Sequence, residues 1–573
     1  MKKLHSTLGR LGIAALFVAS TWQPTSLLAQ STCNQEITVQ PGDWLSQIAQ
    51  KYLGNVGAYA SIAEATNAKA SSDKTFNRID DPNLIYPGQK LCIPNSPAVA
   101  AGNTVTANPD DIVEFNLLQM NDVYEITPVG GTGGLARVAT LRKLLKSQNP
   151  NTFTLLSGDL YNPSAVGTAR VDGDRLNGRQ MVATMNVVGL DLMTFGNHEF
   201  DVDEPTFRKR LAESKFAYVS SNVFDANDKL YAAPQLIMTA TNKAGKTAKI
   251  GFIGGAITSN PKPYVKFTEP IASVAKEAAA IRPNVDFLVG VTHLSVEDDT
   301  KLAAQAPMID IILGGHEHTH YRVPTGPNSP TIFKADANAR TVYIHTVRYN
   351  TVTKKSQINS RLQDINDTIA DDPETAKEVF KWVTAAFDGF RKDGFNPEQK
   401  VATSKIALDG TEESVRTRPT DLTKLIADGM LASAPGTEVA IFNGGSIRID
   451  DTITPGPISE YDVIRILPFG GKILSVEMKG SLLAKVLTQG EANKGKGGYL
   501  QTAKAQRSGN NWLINGAAID PNRTYKVAIN DFLMSGRESG LEYLKLDNPE
   551  AKQLGEHEDI RLSVIKQLKK VFG

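Results

Sequence analysis

At 573 residues the chain is long enough for about three or four domains and for a large buried core. Its formal net charge of +1 supplies none of the field that draws in a nucleic-acid polymer or another polyanion. No low-complexity tract or internal repeat stands out, so function has to be read from local motifs.

Residues 1–29 carry Lys2, Lys3 and Arg10, then an apolar run from Leu11 to Ala19, then small residues ending at Ala29. A charged start, a short apolar stretch and a cleavage point are what a secretory signal needs. The run is too short to span a bilayer. An uncleaved amphipathic anchor is the alternative, because Leu27 stands where a small residue is usual before the cut. The protein is expected to be exported: periplasmic, cell-wall-associated or extracellular, with no transmembrane segment.

The only cysteines, Cys33 and Cys92, bracket one short stretch, which in an exported chain predicts a disulfide. A bridge across so small a core adds about 2–4 kcal/mol. Between them, Ile37 to Asp43 reads as a strand and turn, Asp43 as a cap for a helix from Trp44 to Tyr52, Ala58 to Asn67 as a second helix, and Asn83 to Leu91 as a closing strand. Val39-Gln40-Pro41-Gly42-Asp43 and Leu84-Ile85-Tyr86-Pro87-Gly88-Gln89-Lys90-Leu91 resemble the two ends of a LysM module. The resemblance implies a βααβ fold over 33–94 that binds peptidoglycan or chitin-type glycans; a spacer or docking unit is the other reading. Residues 95–109 are small, polar and rich in turn formers, a flexible linker.

From Asp110 to about Arg348, apolar runs alternate with helical segments, of which Leu135 to Lys146 and Gly178 to Val188 are clearest. This predicts an α/β layered domain over 110–350. Five of the runs read as buried strands that deliver an acid or a histidine at or just beyond their last residue. They are Val113 to Met120 before Asp122, Thr152 to Leu156 before Gly158-Asp159, Val187 to Phe195 before Gly196-Asn197-His198-Glu199-Phe200-Asp201, Val285 to Val291 before His293, and Ile309 to Leu313 before Gly314-Gly315-His316-Glu317-His318. Ligands gather at the carboxyl ends of strands in such sheets, so five ends can converge on one crevice. Two divalent cations about 3.5–4 Å apart can clamp a phosphoryl group, and they take imidazole, carboxylate and amide-oxygen donors. Asp122, Asp159, Asn197, His293, His316 and His318 form such a set.

In this order the motifs resemble the calcineurin-like metallophosphoesterases and, within them, the 5′-nucleotidase family. Asn443-Gly444-Gly445-Ser446-Ile447-Arg448, Leu467-Pro468-Phe469-Gly470-Gly471 and Asn530-Asp531-Phe532-Leu533 match that family's second domain, so the resemblance covers roughly 110–573. It implies two packed sheets flanked by helices, followed by a separate α/β substrate-binding domain. It also implies that Asp122, Asp159 and His318 hold one metal ion, and Asp159, Asn197, His293 and His316 the other. His198, paired with Asp201, is implied to stand beside the phosphate and stabilise the transition state. His320 and His345 fall outside the matched positions and read as structural or solvated.

Three positions depart from the family. The first strand has Asp122-Val123-Tyr124 where Asp-x-His is usual: Tyr124 as a phenolate on a ferric ion, Glu125 or Tyr161 reaching in, or water filling the place are the options, and water is favoured. Oxygen-rich ligation there favours manganese, magnesium or iron over zinc. Leu541 lies where a second base-clamping aromatic is expected, with Tyr543 nearby. Asp421 falls at the place of a phosphate-binding arginine, with Arg416 and Arg418 close in sequence.

A helix from Asp372 to Arg391, within 370–394, joins the large domains. The last domain, 397–573, opens with a strand from Val401 to Leu408 and has a helix from Thr420 to Leu431. By the resemblance, Asn443, Gly444, Gly445 and Arg448 form its substrate loop and Phe469 one wall of the slot for the base. Glycines let a backbone approach a ligand, and arginine pairs with phosphate. The sequence therefore predicts an exported phosphohydrolase with two divalent ions, most directly a 5′-nucleotidase using metal-activated water. Its alternatives are a 2′,3′-cyclic nucleotide phosphodiesterase or nucleotide-sugar diphosphatase, hydrolysis of a non-nucleotide ester, and an inactive glycan-anchored binding protein.

Overall fold

The computed structural model describes residues 33–40, 45–53, 59–79, 85–94 and 108–573. The leader at 1–29, nearly all of the linker and the Asp43 cap lie outside them. The chain divides into a unit ending at Thr106 and a larger one from Ala107.

In the first unit, strand Cys33–Thr38 pairs antiparallel with Lys90–Pro94, and helices Leu45–Leu53 and Tyr59–Ser72 lie between them in sequence. Leu45, Ile48, Ile62, Ala63, Leu91 and Ile93 close the core. The Cys33–Cys92 disulfide is formed, with Cα atoms 5.3 Å apart. The closing strand starts at Lys90 rather than Asn83. Residues 86–89 before it make a turn in which the Gln89 N–H donates to the Tyr86 carbonyl at 2.9 Å.

The larger unit begins with two six-stranded sheets packed face to face. One runs in the order Ser356–Asp364, Thr341–Asn350, Ile112–Met120, Thr152–Ser157, Leu192–Thr194, Ala217–Tyr218; the other Gln235–Thr241, Thr247–Ala256, Phe287–His293, Ile311–Leu313, Thr331–Lys334, Tyr321–Val323. Their inner faces are fully buried: Val113, Phe115, Leu117 and Leu155 meet Phe252, Phe287, Val289 and Leu313. The Phe115 and Phe287 rings touch edge to face at 5.4 Å, a favourable aromatic geometry. Strand Ile112–Met120 is parallel to Thr152–Ser157, and Phe287–His293 is parallel to Ile311–Leu313. Their carboxyl ends therefore open on one rim.

The outer face of the first sheet is covered by helices Leu135–Gln148 and Arg179–Val188. Val187 and Val188 belong to the second of these, so the strand expected from Val187 is only Leu192–Thr194. Gly189, at φ 84°, stops the helix with its N–H on the Met185 carbonyl, a left-handed cap that glycine adopts at no steric cost. Helix Pro373–Lys392 is capped by Asp372, whose carboxylate accepts from the Thr375 N–H. Its buried Trp382, Ala386 and Phe390 join the core of the first domain to Val401, Val463 and Ile565 of the second.

That second domain is a five-stranded sheet in the order Leu500–Ala503, Val439–Asn443, Thr524–Asn530, Lys472–Lys479, Ala551–Asp559. The strand expected from Val401 to Leu408 is two pieces, Lys400–Ser404 and Leu408–Asp409, which pair with different partners. Helix Asp421–Ser433 starts at a capping box formed by Thr420 and Thr423. Among the described residues no helix is long and apolar enough to cross a membrane.

Candidate active site

The five strand ends do converge. Asp122 and Asp159, beyond two neighbouring strands of the first sheet, and His293, at the end of a strand of the second, are fully buried and place ligand atoms within 4.8 Å of one another. His293 Nδ1–H donates to the Ser157 carbonyl at 2.8 Å, which turns Nε2 toward Asp159 Oδ2 at 3.2 Å, Asp122 Oδ1 at 3.9 Å and Asn197 Oδ1 at 3.2 Å. Three oxygen acceptors facing an imidazole lone pair require positive charge between them. The field shows this: burial lowers the proton affinity of His293, but the Asp159 and Asp122 carboxylates override it and push the ring up to about 9. A divalent cation meets the same demand with donors of the right type.

The His316 ring stands edge-on to His293, centroids 5.3 Å apart. Burial, with His293 close by, holds it down at about 4, so it is a neutral imidazole suited to ligation. His318 Nε2 lies 3.4 Å from Asp122 Oδ1. Asp122, Asp159, His316 and His318 all have positive φ, between 52° and 93°; such strain persists only where surrounding structure imposes it, and it clusters at functional sites.

Tyr124 occupies the middle of the first group. Its hydroxyl is 3.2 Å from Asp122 Oδ1, 2.9 Å from Asp159 Oδ2 and 2.9 Å from His318 Nε2. Neither other candidate reaches in. The Tyr161 hydroxyl pairs with Tyr218 at 2.7 Å, and Glu125 accepts from the Ala165 N–H and faces Tyr461.

His198 Nδ1 is 2.6 Å from Asp201 Oδ2. Burial opposes its charged form, but Asp201 and Asp159 prevail and raise its proton affinity. Asn260 donates to Asp201 Oδ1 at 2.7 Å and to the Asn197 carbonyl at 3.0 Å, holding the pair in place. The sequence reading missed Asn260, which lies in a loop without a motif.

Two buried charges hold the ligand turns together, and neither was foreseen. Glu199 accepts from the N–H groups of Asp159 at 3.0 Å, Leu160 at 2.6 Å and Gly196 at 2.5 Å. Lys334 Nζ reaches Asp299 at 2.9 Å, the Leu294 carbonyl at 2.6 Å and the Gly315 carbonyl at 2.8 Å, tying the loop after His293 to the loop of His316. Gly196 is required by crowding: a Cβ there would lie 2.1 Å from Asp159 Oδ1.

The second domain faces this cluster. Arg448 is near enough to act electrostatically on both His198 and Asp201, and its guanidinium lies over the Phe469 ring at 5.6 Å. Phe469 is 42% exposed, open enough to stack on a planar group. Arg416 lies close to Arg448 and pairs with Glu412, whereas Arg418 turns to Asp409. The Nε atoms of Arg416 and Arg448 are buried without a partner. Asn443 is held by Glu538 at 2.9 Å and by Asn530 at 3.1 Å.

Gly444 and Gly445 are small for a different reason from the one expected. A Cβ on Gly444 would lie 2.5 Å from the Val415 carbonyl oxygen, and one on Gly445 2.9 Å from Gly497 Cα. Their N–H groups are already spent on Tyr499 and Gly497 carbonyls, so these glycines pack loop on loop. Leu541 is fully buried in the core of the domain, which Tyr543 packs against with Lys485 Nζ 3.9 Å from its ring centroid. Leu541 therefore gives Phe469 no opposing wall. His345 is buried between Ser360 and Gln119, and His320 is exposed beside Asp336.

A two-sheet sandwich that gathers buried carboxylates, imidazoles and an amide at its parallel strand ends defines a metallophosphoesterase. Residues 115–320 match the calcineurin-like phosphoesterase family, 400–545 the 5′-nucleotidase C-terminal domain, and 37–72 and 74–94 the LysM domain. The chain is similar to the trifunctional nucleotide phosphoesterase protein YfkN of Bacillus subtilis, at 28% identity over 74% of this chain and 32% of that one, and so spans about a third of that relative's length. It is similar to the 5′-nucleotidase of Bos taurus at 26% identity, over 65% of this chain and 71% of that one. The structure of a 5′-nucleotidase precursor from Thermus thermophilus shares the fold, with a TM-score of 0.65 at 23% identity over 80% of this chain and 97% of that one. The chain thus carries a LysM domain, a calcineurin-like phosphoesterase domain and a 5′-nucleotidase C-terminal domain in that order, the make-up of a metal-dependent phosphoric ester hydrolase.

Proposed function

We propose that the protein is an exported 5′-nucleotidase that releases phosphate from nucleoside monophosphates while its LysM module holds it to a peptidoglycan or chitin-type glycan. The observation that carries this reading is that Arg448, whose guanidinium lies over Phe469, comes close to the His198–Asp201 pair beside the Asp122, Asp159 and His293 cluster. An anion donor and an exposed aromatic beside a phosphoryl-transfer centre fit a phosphate joined to a planar base.

Asp122, Asp159 and His318 would hold one divalent ion, and Asp159, Asn197, His293 and His316 the second. When bound, two such ions supply an activated water and neutralise charge on the phosphoryl group. The chain's own residues do the rest. Arg448, with Arg416 beside it, draws in the phosphate through its guanidinium charge. His198 is kept charged by Asp201 and offers its other nitrogen, Nε2, to a phosphoryl oxygen as negative charge builds there. Phe469 stacks on the base, whose identity stacking does not discriminate. Asn443 braces the loop that carries Arg448.

Export is supported by the Cys33–Cys92 disulfide and by the residue pattern of 1–29. Action on nucleotide sugars, or on 2′,3′-cyclic nucleotides with the same metals, is a second reading; the lack of an aromatic wall at Leu541 favours the larger nucleotide sugars. The test is phosphate release by purified protein lacking residues 1–29, with manganese, magnesium, zinc or no metal, on nucleoside monophosphates, cyclic nucleotides, a nucleotide sugar followed by phosphatase, and an aryl phosphate. Metal-dependent turnover of monophosphates that disappears in His198→Ala supports the proposal. Turnover of the aryl phosphate alone removes the nucleoside from it, and no turnover with any metal favours the glycan-anchored binding protein.

A further inference from the structure

A ligating imidazole binds its ion through one nitrogen and is aimed by whatever accepts the N–H of the other. For His293 that acceptor is the Ser157 carbonyl of its own domain. For His318 it comes from the other domain: Nδ1 is hydrogen-bonded to Asp450 Oδ2, while Nε2 points to Tyr124 and Asp122. Asp450 is itself aimed, because its Oδ1 accepts the Glu412 N–H at 2.7 Å. It sits at φ 39°, a strained left-handed position for a residue with a side chain. The next residue, Asp451, makes a separate tie across the same boundary, an ion pair with Arg340 at 2.9 Å. Asp450 also lies two residues beyond Arg448 on the loop that faces His198.

Building on the reading of His318 as a metal ligand, we propose that Asp450 is a positioning residue of the metal centre: the second domain orients His318, so one of the two ion sites is complete only while that domain is docked as it is here. Ion binding and domain docking are then reciprocally linked, since whatever strengthens one must strengthen the other by the same factor. A substrate anchored on Arg448 pulls on the same loop and thereby bears on the ion that acts on its phosphate.

The experiment is manganese titration of the whole chain against a competing chelating indicator, for the unmodified protein, Asp450→Ala, Asp450→Asn and Arg340→Ala. In Asp450→Ala one ion is expected to bind about 10–100-fold more weakly, with the other unchanged. Arg340→Ala, which breaks the neighbouring tie and leaves the His318 contact, is expected to weaken the same ion through docking alone, and by less than Asp450→Ala does. Asp450→Asn should lose several-fold, less than alanine, because one amide oxygen cannot serve both His318 and the Glu412 N–H. Unchanged affinities in Asp450→Ala, or equal losses in Arg340→Ala, overturn the proposal. Should the alanine variant fail to fold, Asp450→Asn decides, and an unchanged affinity there overturns it as well. An unmodified protein that binds no ion sinks the functional reading itself, whereas two ions bound with no effect of Asp450 sink only this inference.

Discussion

Glu199 offers a direct probe of how the metal-ligand turns are held. Its side chain is fully buried and accepts four backbone N–H groups, from Asp159, Leu160, Tyr161 and Gly196. These come from two different strand ends, so one carboxylate fixes the Gly158-Asp159 turn against the Gly196-Asn197 turn. Glu199→Ala leaves four buried donors without a partner, at about 1–3 kcal/mol each. Water entering the space recovers part of this, so the expected loss is about 3–6 kcal/mol. Glu199→Gln retains one acceptor oxygen and should lose roughly half as much. Chemical denaturation followed by the near-ultraviolet signal of the catalytic unit measures the loss, and manganese content measures its effect on Asp159. A Glu199→Ala protein within about 0.5 kcal/mol of the unmodified one, the range of a neutral surface change, with full metal content would refute the clamp.

Asp201→Asn should lower kcat by about 10²–10³, as removal of one transition-state donor does, and leave bound metal unchanged; a parallel loss of metal would assign the pair to ligand support instead. Phe469→Ala should weaken nucleoside monophosphate turnover by about 1–3 kcal/mol in kcat/KM and spare an aryl phosphate, and equal losses on both would remove the base from the account. His345 gives a pH dependence of stability. Burial holds its proton affinity down at about 3 against 6.5 for a free imidazole. Between these values the unfolded chain binds a proton that the folded chain does not, so stability rises with pH through that window and falls by up to about 1.4 kcal/mol per unit on acidification. Denaturation of His345→Gln at pH 4 and 6 should show a flatter slope, and an unchanged slope would contradict the assignment.

The cluster of carboxylates and imidazoles was legible because its residues sit at strand ends, three of the five in short, glycine-marked turns, where sequence position and spatial position coincide. Helix starts were legible for a similar reason, since Asp372 and Thr420 cap through contacts within three residues. What the sequence concealed depends on distant partners. Asp450 lies 132 residues from His318, and Asn260 59 from Asp201. Lys334 is a lysine in an apolar strand whose charge makes sense only once Asp299 and Glu317 are beside it. The glycines of the substrate loop were legible as necessary, but their reason, backbone packing against Val415 and Gly497 rather than approach to a ligand, belongs to tertiary structure. Tyr124 was legible as a departure from the family pattern, yet only the fold brings its hydroxyl among three candidate ligands.

Under the proposed function, five strand ends build a two-ion phosphoryl-transfer site. The most direct test is the number of manganese ions per chain after reconstitution and removal of excess metal, measured by elemental analysis alongside Asp159→Ala. Close to two ions are expected, falling to one or none when Asp159, the residue expected to be shared by both sites, is removed. A count of zero or one in the unmodified protein, or a count indifferent to Asp159, would contradict it.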